Sequence, residues 1–321
     1  MNILVTAIGS FSSSCVIDRL RLMGHRVVGC DIYNYHWLAQ SRECDAFYQA
    51  PYATEEQLYV DFLLAVSEKE SVNFIIPLTD LEIDVLNKYR APFVDKGINV
   101  CLQSSDCLRV VRDKHSLFRQ FADDDIVNVP KTVLANCFIG KYIPFNYPVI
   151  AKPKNGRSSE GLRTICLEDE LQQFIKVHDD YIIQEKIDGS VYTVDYVRDN
   201  EGNDNSVARE ELLRTKNGAG TTVRLLNDEL LVKTSSYIGE RLNVCGCVNM
   251  EFIYNKEEGK YYLIDINPRF SAGIAFTVKA GYDVVASNLD CFCKKKIMPP
   301  VRYKEQIMIK KYVEEVLWTE A

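Results

Sequence analysis

The sequence predicts a mixed fold, in which an N-terminal α/β domain precedes a larger part built from antiparallel strands and helices. In the first part of the chain, short apolar segments alternate with amphipathic helical segments at the spacing typical of a parallel sheet. Further along, the apolar segments come in pairs joined by short polar turns, as in β-hairpins. The 321 residues are enough for about two or three small domains with their own cores.

The N-terminal domain is predicted over residues 1–108, with all of its strands parallel. The predicted strands are 2–8, 26–32, 72–77 and 98–102, and the predicted helices are 15–23, one beginning after residue 57, and 81–96. The sequence Thr54–Gln57 has the form of a capping box. The helix that follows it is predicted to bury Leu58, Phe62 and either Ala65 or Val66.

The carboxyl edge of this sheet is a candidate ligand site, because open parallel sheets bind ligands there. Thr79 and Asp80 follow the third strand, and we predict them as substrate contacts. The alternative is a helix cap with acidic residues in the first turn. A dinucleotide site with Asp31 on the ribose, as in an oxidoreductase, is a weaker interpretation. Only Gly9 of the required Gly-x-Gly-x-x-Gly pattern is present.

A polar loop at 154–161 lies between a strand at 147–153 and a return strand at 162–167. Small residues leave backbone N–H groups free to contact phosphate oxygens, and Lys152 at the end of the first strand adds a positive charge. The candidate phosphate contacts in the loop are Gly156, Ser158, Ser159 and Gly161. The loop lacks the P-loop pattern, and taken alone it is better interpreted as a flexible turn.

Residues 249–267 predict a hairpin around which the rest of the chain is organised. A three-residue turn at 257–259, with its glycine in the left-handed conformation, pairs Glu251 with Asp265. The same register pairs Asn249 with Asn267, and all four polar side chains then share one face. The opposite face is predicted to enter the core with Met250, Phe252, Ile264 and Ile266.

The polar face of this hairpin predicts a site for a hard cation. Mg²⁺ prefers carboxylate and amide oxygens, so we predict Glu251, Asp265 and Asn267 as its ligands. Arg269 follows a proline that ends the strand, and its guanidinium group suits a phosphate or a carboxylate. The alternative interpretation is an ordinary hairpin with a solvated acidic face.

Composition excludes several classes of function. The net charge is −7 and no basic run exceeds three residues, so we expect no nucleic-acid partner. The N-terminus lacks the features of a signal peptide, and no apolar run reaches the length of a membrane span, so we expect a cytoplasmic protein without a membrane partner. The eleven cysteines lack paired zinc-type spacing and are predicted to be reduced.

The motifs follow one order along almost the whole chain. They are Asp113-Lys114, Tyr147-Pro-Val-Ile-Ala-Lys152 with its glycine-containing loop, Gln184-Glu185-Lys186, Tyr192-Thr-Val-Asp195, Asn249-Met-Glu251, and Ile264-Asp265-Ile-Asn267-Pro-Arg269. This series resembles the ATP-grasp superfamily. Its pattern is closest to the carbamoyl-phosphate-synthetase-like branch, which includes single-chain carboxylate–amine ligases.

The resemblance implies a Rossmann-like parallel-sheet domain followed by a two-lobed ATP-grasp fold. The small lobe with the phosphate lid is expected at 109–187. The large lobe, with the metal site and the C-terminal segment, is expected at 188–321. A last strand is predicted within 306–316.

The resemblance also implies roles for individual residues. Lys114 and Lys152 would contact the ATP phosphates from opposite sides. Arg269 would lie beside the γ-phosphate. Lys152 and Arg269 are the candidate catalytic residues. Arg214, with Lys216 nearby, would hold an acid group of a substrate. The hinge that binds adenine would consist of Glu185, Lys186 and Ile187.

The sequence departs from the family pattern at two positions. Family members often carry a glutamate after the hinge that holds the ribose hydroxyls, but here Val191 stands in its place, and Asp188 is the candidate replacement. Asp265 stands where glutamate is usual. Because aspartate is shorter, we expect one metal ion to be held better than a second.

The resemblance therefore implies a ligase that uses ATP and Mg²⁺, with Mn²⁺ as a substitute. It would activate a small-molecule carboxylate as an acyl phosphate and join it to an amine. A homodimer would be consistent with this assignment. The alternative is a catalytically inactive nucleotide-binding module or regulatory subunit with the same fold. The sequence does not identify the carboxylate or the amine.

Overall fold

The computed structural model describes residues 1–156 and 160–310, which form three sheets. The first sheet is parallel, with the strand order β3-β2-β1-β4-β5. Its strands are β1 (Asn2–Val5), β2 (Arg26–Asp31), β3 (Ala46–Gln49), β4 (Phe74–Ile76) and β5 (Asn99–Val100). Its helices are α1 (Ser13–Leu22), α2 (Glu56–Lys69), α3 (Asp80–Lys88) and α4 (Arg90–Asp95). The predicted α/β domain is therefore present.

Two short helices lead from the first sheet to a four-stranded antiparallel sheet with the order β6-β9-β7-β8. The helices are α5 (Ser105–Val111) and α6 (Lys114–Gln120). The sheet consists of β6 (Thr132–Leu134), β7 (Val149–Pro153), β8 (Arg163–Ile165) and β9 (Tyr181–Glu185), with α7 (Glu168–Ile175) between its last two strands.

The remaining chain forms a six-stranded antiparallel sheet with three helices. Its strands are β10 (Ser190–Arg198), β11 (Asp204–Arg214), β12 (Gly220–Leu226), β13 (Gly246–Asn255), β14 (Lys260–Asn267) and β15 (Ile307–Ile309), in the order β14-β13-β10-β11-β12-β15. The helices are α8 (Glu229–Arg241), α9 (Ile274–Lys279) and α10 (Val284–Phe292). The predicted last strand is confirmed at 307–309, and its predicted continuation to 316 extends beyond the described residues.

The helix after the predicted capping box differs from the prediction. α2 begins at Glu56, and its N-cap residue Glu55 makes no side-chain cap bond, so the predicted capping box is wrong. Its buried face includes Tyr59 and Leu63, whereas Leu58 is 54% exposed. Tyr59 and Leu63 thus take the places predicted for Leu58 and Phe62, whereas Val66 is buried as predicted.

The hairpin of β13 and β14 has the predicted register at the end that carries the polar residues. Glu251 pairs with Asp265, and Asn249 pairs with Asn267. A bulge after Glu251 then pairs Phe252 with Leu263, so that Leu263 is buried instead of the predicted Ile264. The turn consequently has four residues, 256–259, rather than three, although Gly259 adopts the predicted left-handed conformation with φ of 66°.

The N-terminal sheet and the large sheet share two apolar clusters. One of them joins residues of β1 and β4, such as Ile3 and Phe74, to residues of β11 and α10, such as Val207 and Leu289. The four-stranded sheet has a separate core of its own. Of the helices that the structure describes, none has the length and apolarity needed to cross a membrane.

Gly189 marks a tight backbone contact where the chain enters β10. A Cβ atom added there would lie 2.1 Å from the carbonyl oxygen of Tyr254 on β13. We expect Gly189→Ala to lower the free energy of unfolding by about 3 kcal/mol, because backbone atoms must move to relieve the contact. The measurement is urea denaturation followed by circular dichroism.

Gly259→Ala is the matched control for this prediction. An added Cβ at Gly259 meets no atom within 4 Å, so only its left-handed backbone conformation opposes alanine, at a cost of about 1 kcal/mol. Equal losses of stability in the two variants would contradict the steric explanation for Gly189.

Candidate active site

A cavity of about 410 Å³ lies between the carboxyl edge of the N-terminal sheet and the large sheet. Loops after β1 and β4 form one wall, and the polar face of β10, β11, β13 and β14 forms the other. Its lining consists of residues 9–12, 78–80, Thr193, Arg209, Glu211, Arg214, 217–220, Asn249, Glu251, Asp265, Asn267, Arg269 and 270–273. The volume lies within the range of about 300–1,000 Å³ that is usual for small-molecule sites.

Positively charged side chains from two other elements contact the polar face of the hairpin. Lys114, at the start of α6, places Nζ 2.6 Å from Asp265 Oδ1. Arg214, at the end of β11, places Nη2 2.9 Å from Glu251 Oε2. Asn267 donates a hydrogen bond of 3.3 Å from Nδ2 to Asn249 Oδ1. The predicted ligands Glu251, Asp265 and Asn267 are therefore brought together.

These residues fit a magnesium ion by the chemistry of their donor atoms. Two carboxylates and an amide oxygen are hard ligands, and the two carboxylates already hold the positive charges of Lys114 and Arg214. Within residues 1–156 and 160–310, no group of three His, Cys, Asp or Glu side chains is arranged for a metal. Such an ion would therefore need ligands from phosphate or water, as is usual for Mg²⁺.

Lys152 lies near the end of β7 and is almost completely buried. Its Nζ donates a hydrogen bond of 3.2 Å to the carbonyl oxygen of Ile264 and lies 4.7 Å above the Phe118 ring. Burial, with the nearby charge of Lys114, lowers the pKa of Lys152 to about 7, although Asp265 and Glu251 act in the opposite direction. An anion placed beside Lys152 would therefore be bound by a group that readily regains its proton.

The predicted phosphate loop follows β7. Lys154 anchors its start, because its ammonium group lies 2.8 Å from Asp113 Oδ2 and its carbonyl accepts a hydrogen bond from the Lys114 backbone. Gly161, at its end, has φ of 74°. Gly156 and Gly161 are thus the predicted loop contacts that the structure describes, whereas Ser158 and Ser159 lie outside the described residues.

The predicted hinge lies between β9 and β10, away from the lining of the cavity. Glu185 accepts a hydrogen bond of 2.8 Å from the backbone of Lys131. Lys186 and the largely exposed Asp188 form an ion pair with each other. None of the residues 185–188 lines the described cavity, so their contacts with a nucleotide stay predictions.

Arg269 lies on the cavity wall and is held by three oxygen atoms. Its Nη2 is 2.9 Å from Asp80 Oδ2 and 3.2 Å from Asn267 Oδ1, and its Nη1 donates to the Phe270 carbonyl at 3.2 Å. Burial raises the pKa of Asp80, but the charges of Arg269 and Arg112 together outweigh this effect and lower the pKa below its usual value. Asp80 is thus an anion held between two cations.

The other predicted substrate residues differ in their placement. Thr79 lines the cavity, but its side chain forms a capping box with Glu82, as the alternative interpretation proposed. Arg214 lines the cavity while bound to Glu251. Lys216 is exposed and does not belong to the described lining, although the next residues, 217–220, do.

A buried arginine in the cavity wall was not predicted. Arg209 on β11 is 1% exposed and contacts Asp195, Glu211 and Ser271 at 2.7, 3.1 and 3.0 Å. Sequence reasoning missed it because β11 is rich in charged residues, which are unusual in a strand. The sequence feature that could have indicated Arg209 was Asp195, which belongs to one of the motifs and requires a positively charged partner if it is buried.

The dinucleotide interpretation assigned a ribose contact to Asp31, but the structure gives this residue a different role. Asp31 is buried at the end of β2. Its Oδ2 accepts a hydrogen bond of 2.8 Å from the Gly9 backbone, and its Oδ1 accepts one of 3.1 Å from Tyr33. Asp31 therefore holds the loop after β1 against the sheet.

Comparison with known proteins gives matches over both parts of the chain. Residues 111–273 match the ATP-grasp domain family, and residues 3–101 match the PylC-like, N-terminal domain family. The chain is 34% identical over 112 residues to a D-alanine–D-alanine ligase of Petrotoga mobilis, covering 33% of this chain and 35% of that protein. It is 20% identical over 218 residues to a carbamoyl-phosphate synthase of Methanobrevibacter smithii, covering 64% and 59%.

The chain thus spans between about a third and three fifths of the length of these relatives.

A solved structure of N5-carboxyaminoimidazole synthetase from Staphylococcus aureus, complexed with ADP, is similar with a TM-score of 0.76. The sequence identity is 16%, and the match covers 96% of this chain and 81% of that one. This likeness, with the parallel and antiparallel sheets described above, confirms the predicted fold class.

The match to the ATP-grasp domain spans just over half of the chain and includes Lys114, Lys152, Glu251, Asp265 and Arg269. The carbamoyl-phosphate synthase among the relatives agrees with the branch that the motifs indicate. The chain belongs to the ATP-grasp family.

Proposed function

We propose that this protein is an ATP- and Mg²⁺-dependent ligase that activates a carboxylate as an acyl phosphate and joins it to an amine. The observation that carries the proposal is the shared face of β13 and β14. There Glu251 and Asp265 lie beside Lys114 and Lys152, and the same face continues into the cavity with Arg269. Side chains that can bind phosphate and side chains that can bind a carboxylate are thus adjacent.

The proposed reaction has two steps. A carboxylate oxygen forms a bond to the γ-phosphorus of ATP, and the bond to the bridging oxygen breaks to release ADP. The amine nitrogen then forms a bond to the acyl carbon, and phosphate leaves with the bonding electron pair while the nitrogen loses a proton to it. Neither step needs a side-chain nucleophile, so the protein acts by positioning its ligands and stabilising charge.

The residues of the site divide this work. Lys114 and Lys152 bind phosphate oxygens, and Arg269 stabilises the charge on the transferring phosphoryl group. Bound by Glu251, Asp265 and Asn267, Mg²⁺ or Mn²⁺ would neutralise further charge on the phosphates. Arg214 is the candidate partner of the substrate carboxylate once it leaves Glu251.

Several observations support small-molecule substrates. The cavity of about 410 Å³ has room for small ligands, and its wall carries both arginines and acidic side chains. The names of the relatives, a D-alanine–D-alanine ligase and a carbamoyl-phosphate synthase, are consistent with a reaction of this class. A cytoplasmic location and a homodimer stay predictions.

A catalytically inactive nucleotide-binding module is the second candidate. The missing ribose-binding acid at Val191 is the feature that favours it. The set of Glu251, Asp265, Asn267 and Arg269 weighs against it, because a protein that only binds nucleotide has no need of Arg269 at the cavity wall.

ADP release tests the proposed function directly. The protein is mixed with ATP, Mg²⁺ and a panel of amino acids, other carboxylates and bicarbonate, each with and without an amine. We expect release that requires one carboxylate, increases with one amine and disappears in Glu251→Ala. If no pair stimulates release while ATP still binds, the inactive module becomes the better interpretation.

Arg269→Ala tests the role of the arginine. We expect ATP affinity to change by less than about threefold and kcat to fall by about 10²–10³-fold, because the charge on the phosphoryl group loses its donor. Arg224→Ala is a matched control, since Arg224 is a half-exposed arginine that pairs with Glu210 on the same sheet. Turnover near the wild-type value in Arg269→Ala contradicts the assignment.

The low pKa of Lys152 predicts that proton uptake accompanies ATP binding. At about pH 8 the side chain is mostly neutral in the free protein, because its pKa is about 7. The phosphates raise that pKa, so binding takes up close to one proton at about pH 8 and little at about pH 6, and affinity falls as pH rises above 7.

Calorimetry in two buffers with different ionisation enthalpies measures this uptake. Lys152→Arg is the control, because the guanidinium group keeps its proton throughout this range and should abolish the pH-dependent uptake. The same uptake in Lys152→Arg as in the wild type would show that another group is responsible.

A further inference from the structure

Asp80 belongs to the N-terminal domain but reaches the cavity wall. It is the first residue of α3 and is 2% exposed. It lies within residues 3–101, whose family match is separate from that of residues 111–273. A buried charge contributed by one domain to a site built mainly by another requires a specific partner.

That partner is the guanidinium group of Arg269. Asp80 Oδ2 accepts from Nη2 at 2.9 Å, Asn267 Oδ1 lies 3.2 Å from the same nitrogen, and the Phe270 carbonyl accepts from Nη1. Both Nη atoms are therefore fixed. Among the described residues Arg269 Nε makes no hydrogen bond, and Arg269 lines the cavity.

Asp80 is itself held from its other side. Arg112 Nη1 lies 3.5 Å from Asp80 Oδ1, and Nε and Nη2 of Arg112 form two hydrogen bonds to Asp84, at 2.9 and 2.8 Å. Asp80 and Asp84 are four residues apart and lie on the same face of α3. Arg112 also precedes Lys114 by only two residues. The contacts of Asp80 therefore link α3 to Arg269 on one side and to the segment that carries Lys114 on the other.

These contacts leave Asp80 poorly placed to bind a substrate amine. Asp80 Oδ2 is hydrogen-bonded to Arg269, whereas Oδ1 is buried without a hydrogen bond, 3.5 Å from Arg112. An ammonium group would therefore have to displace Arg269 to bind Asp80. The neighbouring Thr79 is engaged by Glu82 through the capping box. The geometry favours a carboxylate that orients an arginine.

We propose that Asp80 is a positioning residue that orients Arg269 for phosphoryl transfer, rather than the substrate contact that the sequence predicts. This inference rests on the proposed function. It makes α3 of the N-terminal domain part of the apparatus that transfers the phosphoryl group. Asp80 acts through Arg269 and does not touch the reacting atoms.

Asp80→Asn separates orientation from binding. The first probe is MgADP alone, and the second is MgADP with aluminium fluoride, which mimics the phosphoryl group during transfer. We expect the affinity for MgADP to stay within about twofold and that for the aluminium fluoride complex to fall at least about tenfold. In the ADP-release assay, kcat should fall similarly while KM for carboxylate and amine stays unchanged.

Three further variants sharpen the test. Asp84→Asn is the matched control, because it removes a partner of Arg112 without touching Arg269, and it should change the aluminium fluoride affinity by less than about twofold. Asp80→Glu keeps the charge if the amide variant does not fold, and should weaken the same complex by displacing Arg269. In an Arg269→Ala background, Asp80→Asn should cause no additional loss, because the two residues act as a unit.

Different outcomes contradict different parts of the argument. Wild-type affinity for the aluminium fluoride complex in both Asp80 variants overturns the positioning role. A raised KM for the amine at unchanged kcat overturns it too, and assigns Asp80 to the substrate instead. A wild-type protein that binds MgADP but neither binds aluminium fluoride nor releases ADP contradicts the proposed function itself.

Discussion

The pairing of Glu251 with Asp265 across β13 and β14 is the constraint on which the rest of the site depends. Two carboxylates directly opposite each other on one face repel and destabilise a hairpin. Here each is neutralised by a cation from another element, Lys114 from α6 and Arg214 from β11. The repulsion is therefore relieved only when two other parts of the chain, α6 and β11, have folded around the hairpin.

Other charged side chains in and near the cavity wall are also paired with groups of opposite charge, with one exception among the described residues. Arg269 is matched by Asp80, and Arg209 by Asp195 and Glu211. Lys152, by contrast, has no carboxylate within ion-pair distance among the described residues. Its polar contact is a backbone carbonyl, and burial lowers its pKa. The position where an added negative charge would be stabilised most is therefore beside Lys152, next to the phosphate loop.

Sequence alternation predicted the register at the polar end of the hairpin correctly, because the polar face had to avoid the core. It could not predict the bulge that buries Leu263 in place of Ile264, since both residues are apolar. The placement of Asp80 at the carboxyl edge of the sheet was also predictable. Its partner was not, because Arg269 is 189 residues away and only the packing of the domains brings them together.

The distribution of the apolar cores distinguishes the sheet that carries Lys152 from the other two sheets of the site. The N-terminal and large sheets share a core, and Arg19 on α1 is also ion-paired with Asp283 before α10. The four-stranded sheet that carries Lys152 has its own core and meets the hairpin through the hydrogen bond from Lys152 to Ile264. Moving that sheet breaks this hydrogen bond, which water can replace, and uncovers the contact of Lys152 with the buried Phe118 ring, whereas separating the other two sheets exposes the apolar core that they share. Closure over a nucleotide should therefore bring Lys152 toward a surface that already contains Asp80, Arg269 and the acidic pair.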